Sequence, residues 1–189
     1  MFNERKATEL ASHLLSWAGG QMKYIKLLKL IYLVDRFALD KEGHGISTDR
    51  WVSMKNGPVP NQTYNLITEQ DDPEHHPVWN EYIKDLADYC VGLSGDPMGL
   101  HHMSESELEI ARQVWDQYGH RPTWGPDGLV DLTHTFPEWE DPTENPDGPQ
   151  SLPIHLERVL SALGKSEEEI QAILELEQTD DWLDDILAT

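Results

Sequence analysis

Residues 23–36 read "KYIKLLKLIYLVDR". Four of these residues are basic, and nearly all the others are apolar or aromatic. At 100° per residue, Leu27, Leu28, Leu30, Ile31, Tyr32 and Val34 cover more than half of a helix circumference. Lys23, Lys26, Lys29 and Arg36 share the remaining sector. The pattern predicts a largely buried central helix over 22–41 with one basic stripe, ended by Gly43 in "KEGHG". A helix that apolar must be wrapped by other elements. The fold class expected is therefore mainly α: a compact helical domain with a small β-hairpin or short sheet, followed by a C-terminal helical extension.

Working outward, Asn3 is placed to cap a first helix carrying Leu10, Leu14 and Trp17, with Gly19-Gly20 as its stop. "WVSMK", residues 51–55, reads as a short strand. Asn56-Gly57-Pro58 reads as a turn, and Pro60-Asn61 as the start of a third helix. "EQDDPEHHP", residues 69–77, reads as an acidic loop, and "VWNEYIKDLADYC", residues 78–90, as a helix. "VGLSGDPMGLHH" reads as irregular, with a strand there pairing with the first. Ser104 with Glu107 forms a capping box before "ESELEIARQVWDQYG". "GPDGLVDLTH" predicts one or two helical turns. Residues 137–150, with four prolines and no base, read as a linker or exposed loop. "LPIHLERVLSALG" and "SEEEIQAILELEQ" then form a helical hairpin, its second helix capped by Ser166 and Glu169. The expected organisation is an α-rich domain over 1–142, an acidic Pro-rich linker over 143–150 and an acidic helical extension over 151–189.

Charge is segregated along the chain. Of 189 residues, 35 are Asp or Glu and 14 are Lys or Arg, a formal net charge of −21. Residues 1–55 hold nine bases against six acids, and the rest five against 29. So acidic a chain repels nucleic acid, which is not expected as a partner. The two halves either pair charges with each other or offer the acidic half to a basic partner. The basic stripe is expected to be neutralised by the protein's own acids. No apolar run is long enough for a membrane span, the N-terminus lacks a secretory signal, and a single cysteine forms no internal disulfide. A cytoplasmic protein is expected.

No nucleophile elbow, phosphate loop, dinucleotide fingerprint or C-x-x-C pair is present. Cys90 is expected to be a small buried hydrophobe. The adjacent pairs His75-His76 and His101-His102 lack metal-ligand spacing and read as loop histidines. His134 reads as a packed, hydrogen-bonded core histidine, and Asp35 as a carboxylate that either caps or pairs, with Arg50 or Lys55 as its candidate partners. No catalytic, cofactor or metal site is expected, and no enzyme. Trp51, Lys55, Asn56 and Pro58, with Arg36 and Tyr64 nearby, form a candidate contact surface, because aromatic residues and Arg anchor interfaces. Trp51 and Tyr64 fit a core role equally well. In "TDDWLDDILAT", Trp182, Leu183 and Ile186 make an acidic apolar stripe. It is either a docked terminal helix or a second contact segment.

Three pieces occur in order: "KLLKLIYLVDRFALDKEGHGIS", "DRWVSMKNGPVPNQTYNLI" and "HHMSESELEIARQVWDQYG…LVDLTHTFPEW". Together, over about residues 5–142, they resemble the Panacea antitoxin domain family, also called SocA-like or phage-associated GepA-like. The resemblance implies a mostly helical fold and an antitoxin that neutralises a cognate protein toxin by direct contact. Such a toxin would be basic and encoded next door. The resemblance also admits an adaptor that delivers a bound toxin to a AAA+ protease. It does not extend past about residue 142.

Overall fold

The computed structural model of the chain describes residues 2–68 and 76–187, with backbone only over 180–187. The first helix, α1, spans Glu4–Trp17, and the Asn3 side chain accepts from the Lys6 N–H as its cap. A short strand, β1 at Gln21–Lys23, precedes the central helix α2 at Tyr24–Glu42. The central helix thus begins two residues later than its periodicity implies, because Met22 and Lys23 pair in a sheet. It stops at Gly43, whose φ of 78° is the left-handed cap conformation. Eleven of its residues are buried. Helices α1, α5 (Glu105–Tyr118), α6 (Leu129–His134) and α7 (Leu156–Ala162) all pack against it.

Strands β2 (Trp51–Met54) and β3 (Gly57–Pro60) form an antiparallel hairpin, with Val52 opposite Val59 and Met54 opposite Gly57. The sequence assigned Gly57 and Pro58 to the turn; they belong to β3, and Lys55-Asn56 makes the turn. Pro58 and Pro60 are tolerated because β3 is an edge strand. Helix α3, Asn61–Thr68, follows, with the Asp49 carboxylate accepting from the Gln62 and Thr63 N–H groups of its first turn.

The predicted helix over 78–90 is broken. Helix α4 covers only Pro77–Tyr82, and the chain continues as β4 (Ile83–Leu86) and β5 (Cys90–Leu93). Asp88 and Tyr89 turn the hairpin with φ of 60° and 58°, a conformation a helix cannot contain. β5 pairs with β1 and β4, not with β2. Cys90 therefore opens a strand and is half-buried, not a helical core residue. The loop over 98–103 is pinned to α1. The buried Glu9 carboxylate accepts from the N–H groups of His101, His102 and Met103, and Ser12 Oγ from that of Met98. His101 and His102 are exposed loop residues, as expected. Most of the acidic loop, residues 69–75 with His75, lies outside the described residues.

The capping box of Ser104 and Glu107 on α5 is present. Beyond it, Leu152–Ile154 is strand β6 rather than helix, and it pairs with the free side of β2, Ile154 opposite Trp51. Helices α7 and α8 (Glu167–Leu187) then follow. Ile154, Val159, Leu160 and Ile170 complete a second apolar cluster with Tyr32, Leu39 and Trp51. The fold is mainly helical, with two small three-stranded sheets among the described residues.

Candidate functional site

The candidate site forms where α2 meets the β2–β3 hairpin. Lys29, fully buried, donates to the carbonyl oxygen of Pro58 at 2.7 Å, tying helix to strand. Burial pushes its amine well below the usual lysine range. Glycine is required at position 57, where β3 leaves the turn. Its φ is 95°, and a Cβ there would lie 2.8 Å from both Lys29 Nζ and Thr133 Oγ1. Beside it, His134 stacks on Trp139 at 4.0 Å with planes 9° apart. Burial first, then the Lys29 charge, pushes His134 down from its ordinary pKa. The Trp139 indole N–H donates to the Met54 carbonyl at 3.0 Å, and the Glu140 N–H donates to Ser53 Oγ. These bonds hold the segment after α6 against β2.

Between α2, the hairpin and residues 142–150 lies a groove of about 550 Å³. The buried Leu28 and Val59 form its base, and the half-buried Tyr24, Ile25, Met54 and Tyr64 its sides. The opposite wall is the strap carrying Pro142, Pro146 and Pro149, read from sequence as a linker. Tyr24 has Tyr64 and Tyr89 for neighbours. Its hydroxyl is pushed up by burial first and then by those two. Tyr89, on the β4–β5 turn, is 79% exposed, and the two rings lie 6.4 Å apart. The Lys23 amine holds that turn through the Asp88 carbonyl.

The groove gathers three of the expected contact residues: exposed Lys55, half-buried Asn56 and half-buried Tyr64. Pro58 is buried behind it. Trp51 is only 7% exposed, edge-on to Tyr32 at 6.0 Å, its indole N–H donating to Asp35. Arg36 lies over the Phe136 ring at 4.3 Å, and its Nε donates to Glu138 at 2.7 Å. The side chains of Trp182, Leu183 and Ile186 lie outside the described residues. Sequence reasoning did not single out Tyr24, Tyr89 or the strap. The strap's repeated prolines were visible, but composition alone does not separate a linker from a rigid wall.

Two charge expectations are corrected. Asp35 does not pair with Arg50 or Lys55. It is fully buried and accepts from the Ile46 and Ser47 N–H groups, the Ser47 hydroxyl and the Trp51 indole. Burial raises its pKa to about 6 against those bonds. Within the basic stripe, Arg36 meets an acid, whereas Lys23 and Lys29 reach backbone carbonyls. Three donors from one short loop and the Trp51 indole of β2 satisfy a carboxylate without a cation, and a carbonyl at the end of a lysine stem does the same for an amine.

Among the described residues, no three His, Cys, Asp or Glu side chains stand together as a metal site. No helix there is long and apolar enough to cross a membrane. No curated protein and no solved structure matches the chain. The model of the "Antitoxin SocA-like, Panacea domain" family matches residues 27–140. That match runs from the middle of "KYIKLLKLIYLVDR" to the Trp139 that clamps the hairpin, so it takes in the Lys29, Gly57 and His134 arrangement. On that match, more than half its length, the chain belongs to the SocA-like antitoxin, Panacea domain family.

Proposed function

We propose that this protein is the antitoxin of a toxin–antitoxin pair and neutralises a cognate protein toxin by direct contact. The observation that carries the reading is the tyrosine-sided groove on the β2–β3 hairpin. Its base and hairpin side, Leu28, Met54, Lys55, Asn56, Val59 and Tyr64, lie inside the family match, whereas Tyr24, Ile25 and the strap lie outside it. Half-buried aromatic groups around an apolar base are the usual anchors of a protein interface. Trp51, Pro58 and Arg36 act behind this surface, holding the hairpin and α2 in place. The acidic C-terminal stretch with Trp182, Leu183 and Ile186 is the second contact.

The toxin is basic, and the surplus acid of the chain steers its approach. Complementary charge raises association rate and filters partners more than it adds affinity. The test is growth of cells expressing the reading frame adjacent to this gene, with and without this chain. Growth arrest relieved by co-expression supports the reading. Absence of toxicity from every neighbouring frame overturns it.

A further inference from the structure

On a chain of net charge −21, the groove is an electrostatic exception. Its base is apolar, and among the described residues the one charged side chain lining it is that of Lys55. Glu144 and Asp147, exposed on the strap, do not line it. Asp141, at the foot of the strap, accepts from the Thr143 N–H and hydroxyl. Those bonds first, with His134 and Lys55 adding to them, hold its carboxyl below the usual carboxylate range. Among the described residues the exposed Lys55 amine makes neither a salt bridge nor a hydrogen bond. Lys29 is buried behind β3 and takes the Pro58 carbonyl. Around Lys55 the sides carry amides and hydroxyls. The side-chain polar ends of Tyr24, Asn56, Tyr64 and Gln150 make no hydrogen bond among the described residues. A polypeptide laid over the apolar base can meet them with its backbone N–H and C=O groups. The β4–β5 turn extends the tyrosine side. Its φ of 58° at Tyr89 is uncommon for a bulky residue, and it sets that exposed ring 6.4 Å from Tyr24.

We infer that the groove binds an apolar segment of the partner protein that carries one Asp or Glu, with Lys55 as the counter-ion of that acid. This rests on the antitoxin reading and names the part of the toxin that is gripped, a local acid within an apolar stretch of an otherwise basic protein. Elsewhere the surplus negative charge of the chain repels the same carboxylate. One acid therefore fixes the register of the segment, because misplaced docking sets like charges together. Approach and placement are thus separate. The surplus acid draws the basic partner in, and the contact with Lys55 decides where its segment lies.

The test is selection of a displayed random dodecapeptide library on the full chain. Selection on Lys55→Glu runs in parallel, and binding of the selected peptides is measured by fluorescence anisotropy. Position 55 is exposed, and thermal melts report whether the variant folds as the wild type does. Peptides enriched on the wild type should combine apolar side chains with an Asp or Glu. They should bind Lys55→Glu about 10-fold more weakly. Lys55→Gln, which removes the charge without reversing it, should show a smaller loss in the same direction. The peptides should also lose affinity for Tyr64→Ala. Replacing their acid by Lys should weaken binding to the wild type and restore it to Lys55→Glu, a reversal that a merely structural effect at position 55 does not produce. Enrichment of basic or uncharged peptides, no enrichment, or binding indifferent to the Lys55 variants would overturn the inference. Toxin neutralisation with a groove that ignores acidic peptides removes this inference and leaves the antitoxin reading. Acidic peptides bound as described, with no toxic neighbour, does the reverse.

Discussion

The amine of Lys29 donates to the carbonyl oxygen of Pro58 across 2.7 Å, and both residues are buried. One lysine on the central helix thereby fixes the strand that forms the base of the groove. The cost is desolvation of an amine with no carboxylate beside it, which lowers its pKa. The folded chain then binds fewer protons than the unfolded chain between that lowered value and the ordinary lysine range. Stability should rise with pH across that window. Lys29→Met removes the term. Urea unfolding from neutral pH upward should show the wild type gaining on Lys29→Met as pH climbs. A difference that stays flat with pH would contradict a buried, desolvated amine.

Asp35 carries the opposite sign. Its folded pKa, about 6, lies above its ordinary 3.8. The folded state holds a proton that the unfolded state releases, so this group's contribution falls as pH rises from about 4 to about 6. The full change amounts to about 3 kcal/mol. Asp35→Asn lacks the titration and turns an amide toward the Trp51 indole N–H. Its deficit against the wild type should therefore be larger at pH 4.5 than at pH 7, read by denaturant midpoints at both.

Gly57→Ala is expected to destabilise the chain by about 1–3 kcal/mol. Both causes act together: a φ of 95°, and a methyl group 2.8 Å from Lys29 Nζ and Thr133 Oγ1. Equilibrium urea unfolding measures it. A loss below a few tenths of a kcal/mol would mean that the turn rearranges freely.

Two truncations separate packing from binding in the C-terminal stretch. Ending the chain at residue 150 removes β6 and exposes Trp51, Tyr32 and Leu39. Each large apolar side chain re-exposed costs about 1.5–3 kcal/mol, so this truncation should unfold or aggregate. Deleting 179–189 begins beyond Ile170, Ile173 and Leu174, the α8 residues in that cluster. It should leave the melting temperature unchanged within error and weaken toxin binding. Unchanged affinity would remove the tail from the interface.

The central helix, its cap at Gly43, the α1 cap and the α5 capping box were all legible, because each is a local signal of periodicity or side-chain reach. What was not legible depends on tertiary partners. The run over 83–90 looks helical alone, yet it forms β4 and the start of β5, and β5 is fixed by strands on both sides. "LPI" at 152–154 reads as a helix start, but β2 offers it a free edge. Asp35 reads as either a cap or half of an ion pair, because no local pattern reveals that three donors of the following loop and the Trp51 indole of β2 converge on it. The groove was half legible. The hairpin residues stood out by type, whereas the strap opposite carried only the composition of a linker.

The most direct measurement is association of the purified chain with the product of the adjacent toxic reading frame, followed kinetically at low and high ionic strength. The account predicts a stable complex whose association rate falls steeply with salt and whose dissociation quickens in Tyr64→Ala. Relief of toxicity without any complex, or association indifferent to salt and to the groove, would contradict it.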